Sequence, residues 1–263
     1  MNTLPSVSVI IPTGYGDKYF PVALECFLSQ KYKGQLEIIV VDNNDGGKTV
    51  ESLLPLVDGD AKEADIIAIK YLLCDREPVG ALRNIGTSYA SGDICVTGDE
   101  DDWSSPDRVA AQVERLRVSG KAVTGWHNLL FWNESEKTGY KYFFEPGRAV
   151  HSPYACGTSQ AYLRSWWVKH PFQETGIEDY LFQKEALDHG QLDSTDAGQL
   201  GVARAHADSK CPPRFGCRQF PSVEHSAFPP AFFEAIKFLP SKANNASQSV
   251  VKEKEITSCL TQL

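Results

Sequence analysis

Four consecutive acidic residues, Asp99 to Asp102, are the strongest chemical feature of this sequence. Like charges held close together oppose ionisation, so such a cluster at the end of a buried strand is tolerated when a cation neutralises it. The hard ions Mg²⁺ and Mn²⁺ take a few carboxylate oxygens and leave positions for phosphate oxygens. The cluster therefore predicts a Mg²⁺ or Mn²⁺ site that holds a diphosphate. The alternative is a solvated acidic turn that caps a helix beginning at Pro106.

A second acidic pair, Glu178 and Asp179, follows Gly176 and begins a predicted helix. The positive end of the helix dipole favours an ionised carboxylate in the first turn. An ionised carboxylate suits a general base that removes a proton from an acceptor hydroxyl. Capping of the helix N-terminus is the alternative role for this pair.

Composition and charge restrict the class of protein. The 263 residues are 42% hydrophobic and 23% charged, which favours one α/β domain with extensions and a core that needs no disulfide or structural metal. The net charge is −8 and no Lys/Arg cluster is present, so we expect no nucleic-acid partner. The seven cysteines include no CxxC pair, which argues against a zinc cluster, although Cys211 and Cys217 are close enough in sequence to pair.

The sequence shows no pattern of a membrane-inserted protein. It has no signal-peptide pattern and no apolar run near the roughly 18 residues needed to span a bilayer. We therefore expect a cytoplasmic protein without a transmembrane segment, and the sequence leaves peripheral contact with a membrane open. It does not indicate an oligomeric state.

Strand and helix patterns alternate in the first half of the chain. Apolar runs predict β-strands at 6–12, 36–41, 66–72 and 93–97. Helical patterns are predicted after Asp17, which can act as a cap, and at 50–57, 78–90 and 106–118. This alternation predicts right-handed βαβ units and a mostly parallel central sheet flanked by helices, which is a Rossmann-like α/β fold.

Polar residues follow three of these predicted strands. They are Thr13 to Tyr15, Asp42 to Asn44, and the acidic cluster Asp99 to Asp102. Ligands of parallel sheets bind at the carboxyl ends of the strands. The three segments are therefore predicted to face one crevice.

The second half of the chain has a different pattern. Residues 122–131 and 140–144 are predicted strands of a small mixed or antiparallel extension, and this region is dense in aromatic residues. Residues 178–189 are predicted to form a helix that ends at Gly190. The chain is polar after about Lys242.

The order of these motifs resembles the family 2 glycosyltransferases of GT-A fold. The resemblance rests on VSVIIPT, IIVVDNND, GALRNIG, ASGD, GDEDDWSSPDR and GIEDY, and it covers roughly residues 6–185. It implies a single GT-A domain over 1–240, with a nucleotide-binding half (1–120) and an acceptor-binding half (121–240). A polar tail at 241–263 follows.

The resemblance also implies roles for particular residues. Thr13 and Tyr15 would line the nucleobase pocket, Asp42 would accept a hydrogen bond from the base, most often uracil, and Arg83 would lie near the base and phosphates. From the residues alone, the alternatives are a surface aromatic for Tyr15, an ion-pair partner on a helix for Arg83, and a cap of the following turn for Asp42.

The implied metal and catalytic roles belong to the acidic motifs. Asp99 would bind the ribose or the metal, Asp101 would be the principal metal ligand, and Asp102 a further carboxylate. Asp179 would be the general base and Glu178 would position the acceptor. We give no site role to Glu100, because the family often has Ala or Ser there.

Four aromatic residues are weaker candidates for the site. His206 is a candidate metal ligand, as a late His is in some GT-A enzymes, although a lone His is more often structural. Trp103, Trp166 and Trp167 are candidates for a sugar platform, with a core role as the alternative.

The predicted function is an inverting, metal-dependent transfer of a sugar from a nucleotide-sugar to a carbohydrate, lipid-linked or other hydroxyl acceptor. The resemblance favours UDP as the nucleotide. A sugar-phosphate nucleotidyltransferase and a non-catalytic nucleotide-sugar-binding protein are the alternatives. A P-loop NTPase is disfavoured, because Asp42 stands where the motif ending in Gly47-Lys48-Thr49 requires its first Gly.

Overall fold

The structure, a computed structural model, describes residues 4–14, 18–43, 66–75, 77–144, 153–207, 209 and 213–237. Two sheets organise this part of the chain, one of seven strands and one of five. Helices cover both faces of the larger sheet, as predicted for an α/β fold.

The larger sheet has the strand order β10-β6-β9-β4-β1-β2-β3. Its strands are β1 (Val7–Thr13), β2 (Leu36–Asp42), β3 (Ile66–Leu73), β4 (Ile94–Thr97), β6 (Val123–Trp126), β9 (Ala161–Leu163) and β10 (Leu192–Thr195). Strand β9 is antiparallel to both of its neighbours, and the other strand pairs of this sheet are parallel. The sheet is therefore mostly parallel, and the carboxyl ends of β1, β2 and β4 share one edge.

The smaller sheet has the order β12-β8-β7-β11-β5 and is mixed. Its strands are β5 (Trp103–Ser104), β7 (Asn128–Asn133), β8 (Thr138–Phe143), β11 (Gly201–Ala205) and β12 (Ser222–Val223). Strand β5 directly follows the acidic cluster and pairs with β11, so the smaller sheet adjoins the edge of the larger one that carries the acidic residues.

The helices connect these strands and pack against them. They are α1 (Phe20–Leu28), α2 (Val79–Ser88), α3 (Arg108–Ser119), α4 (Arg164–Trp167), α5 (Glu178–Asp188) and α6 (Pro230–Lys237), with 3₁₀ turns at Gly157–Ser159 and His225–Ala227. None of the helices within the described ranges is long and apolar enough to cross a membrane.

Alternate residues of β1 divide the core into two layers. Val9 and Ile11 pack with Phe27 of α1 and Val113 of α3, whereas Ile10 packs in a separate cluster with Phe182 of α5. Both faces of the strand are therefore buried, which explains its largely apolar sequence. The hydrophobic burial on each face fixes where the strand ends, and with it the position of the site residues.

The structure refines several predicted elements. The single predicted strand 122–131 is wrong, because it divides after Trp126: β6 lies in the larger sheet, and β7 pairs with β8 and β11 in the smaller one. Apolar periodicity does not reveal a change of partner, which explains the error. The cap Asp17, the predicted helix 50–57 and the tail 241–263 lie outside the described residues, and the division into two functional halves stays a prediction.

Candidate active site

The ends of β1 and β2 form the floor of the candidate site. Thr13 pairs with Asp42 in the parallel register, and the backbone N–H of Asn43 donates to the carbonyl of Thr13 at 2.8 Å. Both side chains are buried, and the hydroxyl of Tyr71 donates a hydrogen bond to the Asp42 carboxylate. The sheet register thus brings together two residues that are 29 positions apart. Tyr15 lies outside the described residues.

Glu100 fastens the acidic cluster to the end of β1. Its Oε2 accepts hydrogen bonds from the Thr13 hydroxyl at 2.5 Å and from the Gly14 backbone N–H at 3.2 Å. No sequence signal reveals this partner of Glu100, because the contact spans 87 positions. Glu100 consequently links Thr13 directly to the acidic cluster.

Arg83 joins the acidic cluster to the pair at the start of α5. Its Nη2 lies 3.2 Å from Asp99 Oδ1, and its Nη1 lies 3.4 Å from Glu178 Oε1. Burial lowers the pKa of this guanidinium, but the attraction of Asp99, Glu178 and Asp179 more than offsets that effect and raises it. Arg83 is therefore a buried cation that holds the two predicted acidic motifs in one site.

Burial is the main influence on the pKa values of the two carboxylates beside Arg83. It raises the pKa of Asp99, an effect that Arg83 opposes and Asp101 reinforces. Burial likewise raises the pKa of Glu178, which Arg83 opposes and Asp179 reinforces. Both shifts follow from carboxylates being removed from water among like charges. A cation bound among these groups would relieve that repulsion.

Asp101 and His206 meet at the mouth of the site. Asp101 Oδ2 lies 2.9 Å from His206 Nε2, although the residues are 105 positions apart. The imidazole also packs against Tyr19, with ring centroids 4.5 Å apart. A half-buried carboxylate beside an imidazole suits Mn²⁺ or Mg²⁺ when phosphate oxygens complete the coordination. The tertiary structure thus unites two predicted metal ligands, whose metal binding stays a prediction.

Asp102 differs from Asp101 in its surroundings. It is buried, and its Oδ1 accepts a hydrogen bond from the Arg204 backbone N–H at 2.9 Å. Burial, with added repulsion from Asp101 and Asp99, raises its pKa well above the usual range. These contacts hold β11 against the acidic cluster. Within the described ranges, no three His, Cys, Asp or Glu side chains are arranged to enclose a metal ion.

Asp179 lies in the first turn of α5, opposite the 3₁₀ turn at Gly157–Ser159. Gln160, which is fully buried, donates from Nε2 to the Asp179 carbonyl at 2.9 Å. Gly157 lies directly against the Asp179 carboxylate, since a Cβ built on this glycine would be 2.1 Å from Oδ2. The position of this carboxylate therefore depends on a segment that the sequence did not identify.

The three candidate tryptophans do not form a common platform. Trp103 is buried in the core and packs against Phe232. Trp166 stacks on His170 with ring centroids 3.9 Å apart, and the Trp167 indole N–H donates to Asn84 at 2.9 Å. The core alternative is correct for Trp103, because its apolar neighbours bury it completely.

Arg108 is the support beneath the acidic cluster that sequence reasoning missed. Its Nη2 donates to the carbonyls of Thr97 and Thr158, both at 2.6 Å, and its Nη1 donates to the Ser104 hydroxyl at 2.8 Å. Burial lowers its pKa to about 10, which leaves the guanidinium charged at neutral pH. The only sequence signal was its place at the end of the GDEDDWSSPDR motif.

We predict that Arg108→Met lowers the free energy of unfolding by about 3 kcal/mol, because it leaves several buried acceptors without donors. Urea denaturation measures this change. Arg117→Met is the matched control, since Arg117 is exposed on the same helix and pairs with Glu114 at 2.6 Å. Equal urea midpoints for the two variants would contradict the proposed support.

Comparisons with known proteins show the family and the fold. The model of the family "Glycosyl transferase family 2" matches residues 8–167 of this chain. An "Uncharacterized glycosyltransferase" of Haemophilus influenzae is 26% identical over 121 residues, which cover 46% of each chain. The chain therefore spans about half the length of this curated relative.

Solved structures share the fold. S. aureus TarS 1–349 in complex with UDP has a TM-score of 0.56 and 17% identity, covering 76% of this chain and 60% of that chain. Mannosyltransferase PcManGT from Pyrobaculum calidifontis, in complex with GDP-Man and Mn²⁺, has a TM-score of 0.60 and 18% identity. The match covers 80% of this chain and 59% of that chain.

The fold thus defines a protein of the GT-A class, as predicted. The match over residues 8–167, which is more than half of the chain, shows in addition that the chain belongs to glycosyl transferase family 2.

Proposed function

We propose that this protein is an inverting glycosyltransferase that moves a sugar from a UDP-sugar to a hydroxyl acceptor in the presence of Mn²⁺ or Mg²⁺. The observation that carries the proposal is the bridge made by Arg83 between Asp99 and Glu178. It brings the residues suited to a diphosphate and its cation within one site with the residues suited to activate an acceptor.

Asp179 acts as the general base that activates the acceptor. Its carboxylate takes the proton of the acceptor hydroxyl while that oxygen attacks the anomeric carbon. The bond between the anomeric carbon and the diphosphate oxygen breaks, and its electron pair leaves with the nucleoside diphosphate. Because one displacement by the acceptor itself forms the new bond, the anomeric configuration inverts.

The carboxylates and cations near β1 and β4 bind the donor diphosphate and its divalent ion. Asp101 and His206 would hold the divalent ion, with Asp99 nearby and the donor phosphates as further ligands. When bound, the ion supplies positive charge to the departing diphosphate. Arg83 adds a fixed positive charge that costs no reorganisation during the reaction.

Two observations support the choice of nucleotide: the position of Asp42 beside Thr13, and the nucleotides bound in solved structures with the same fold. Asp42 lies at the end of β2 beside Thr13. There its carboxylate would accept a hydrogen bond from an N–H group of the base. Of the structures with the same fold, TarS is described with UDP and with UDP-GlcNAc, and PcManGT with GDP-Man and Mn²⁺. We propose UDP as the nucleotide, with a carbohydrate, lipid-linked or other hydroxyl compound as acceptor.

A nucleotide screen by thermal shift, followed by a turnover assay, tests the proposal. UDP is expected to raise the melting temperature in the presence of Mn²⁺ more than ADP or GDP does, since a ligand that binds only the folded state stabilises it. Release of UDP from UDP-sugars should then require the ion. Release of pyrophosphate from a sugar phosphate and UTP would instead identify a nucleotidyltransferase, and binding without release under all conditions would indicate a non-catalytic protein.

We predict that Gly157→Ala lowers turnover by about tenfold to a hundredfold, because the added Cβ displaces the Asp179 carboxylate. The atoms that the added Cβ meets, Oδ2, Cγ and Cβ, all belong to the Asp179 side chain and none to backbone, so the fold should persist. UDP release under saturating donor measures the effect.

Gly176→Ala is the matched control, because a Cβ there meets nothing within 4 Å. Its turnover should equal that of the original protein. An unchanged rate in Gly157→Ala would show that the position of Asp179 does not limit the reaction.

A further inference from the structure

A cavity of about 540 Å³ lies at the opposite end of the larger sheet from the candidate active site. Its walls include Pro5, Tyr32, Asp93 and Lys121, which precede β1, β2, β4 and β6, together with one face of α3. The site described above uses the carboxyl ends of the strands, so this cavity belongs to the other edge. Its volume falls within the roughly 300–1,000 Å³ of small-molecule pockets.

The interior of the cavity is apolar. Ile94, Val113, Leu116 and Leu163 line it, and Tyr32 forms a further wall. The Tyr32 ring is buried, and its hydroxyl donates to the Pro5 carbonyl at 2.5 Å, which fixes this wall. Apolar walls of this kind stabilise a hydrocarbon segment by removing it from water.

The rim of the cavity is basic, although the chain has a net charge of −8. Four basic residues and two acidic ones line it: Lys31, Lys33, Arg117, Lys121, Asp93 and Glu114. Both acids are engaged, because Asp93 accepts from the Ser6 hydroxyl at 3.0 Å and Glu114 pairs with Arg117 at 2.6 Å.

Lys31 and Lys33 differ from the other two rim cations, because Arg117 pairs with Glu114 and Lys121 donates to the Gly190 carbonyl at 2.6 Å. Both are exposed, and neither side chain makes a hydrogen bond or ion pair with another residue of the described ranges. Two available ammonium groups beside an apolar cavity complement a molecule that has a hydrocarbon body and an anionic end.

We propose that this cavity binds one single-chain amphiphile with an anionic head, of the fatty-acid type. The hydrocarbon chain lies against Val113, Leu116 and Leu163, and the carboxylate lies at Lys31 and Lys33. The proposal does not depend on the activity assigned to the other end of the sheet.

Isothermal titration of the full chain with decanoate tests this proposal. We expect saturable binding with one decanoate per chain, and binding of decanol that is about tenfold weaker, because the neutral head loses the attraction of the two ammonium groups. The double variant Lys31→Glu/Lys33→Glu should weaken decanoate binding by about tenfold or more and leave decanol binding unchanged.

Two further variants separate the site from general surface effects. Ala110→Phe, which places a ring inside the cavity, should abolish binding of both probes while its melting temperature shows that the chain is folded. Lys169→Glu, an exposed lysine outside the cavity lining, should bind decanoate normally.

Three outcomes would overturn the proposal. The first is decanoate binding that does not saturate, and the second is decanoate binding that is equal in the double variant. The third is binding to vesicles containing phosphatidylglycerol without binding of monomeric decanoate, which would assign the basic rim to a membrane surface.

Discussion

Asp179→Asn is expected to lower kcat by about 10²- to 10⁴-fold while the protein still binds UDP with its original affinity. The amide cannot accept the acceptor proton, but it has nearly the same shape, and Gln160 contacts the backbone carbonyl rather than the side chain. The chemical step should therefore be lost without a change in the fold. Steady-state UDP release measures kcat, and titration calorimetry measures UDP affinity.

Asp188→Asn is the matched control for this variant. Asp188 ends the same helix and forms an ion pair with Lys184, four residues earlier, so it carries the same change of charge away from the site. Its kcat should remain close to that of the original protein. Near-normal turnover in Asp179→Asn would show that the general base is a different group.

Asp101→Asn is expected to remove the dependence of UDP binding on Mn²⁺ and to lower turnover by about 10²- to 10³-fold. The amide lacks the negative charge that attracts the ion, and it leaves His206 without its carboxylate partner. UDP affinity is measured by titration calorimetry with and without Mn²⁺, and turnover is measured in the same buffers.

Asp107→Asn is the control for Asp101→Asn. Asp107 lies six residues further along at the start of α3, is exposed, and makes no capping hydrogen bond through its side chain. It should bind UDP with the same Mn²⁺ dependence as the original protein. If Asp101→Asn retained that dependence as well, the ion would be bound elsewhere or would not be used.

The sequence by itself determined the class of fold and the chemical nature of the site. Largely apolar runs specified β1, β2 and β4, because strands buried on both faces favour apolar residues. The common location of the polar segments that follow these strands was predicted from the rule that ligands bind at the carboxyl ends of parallel strands. The acidic cluster and the Glu178-Asp179 pair were visible because their residue types are rarely placed together without a chemical reason.

Only the tertiary structure decided which of these residues meet. The approach of His206 to Asp101, the attachment of Glu100 to Thr13, and the bridge from Arg83 to Glu178 each join segments that are 87 to 105 positions apart. Local periodicity carries no information on such pairs, because they depend on how separate layers pack. Arg108 was missed for the same reason, since its role is defined by the carbonyls that surround it.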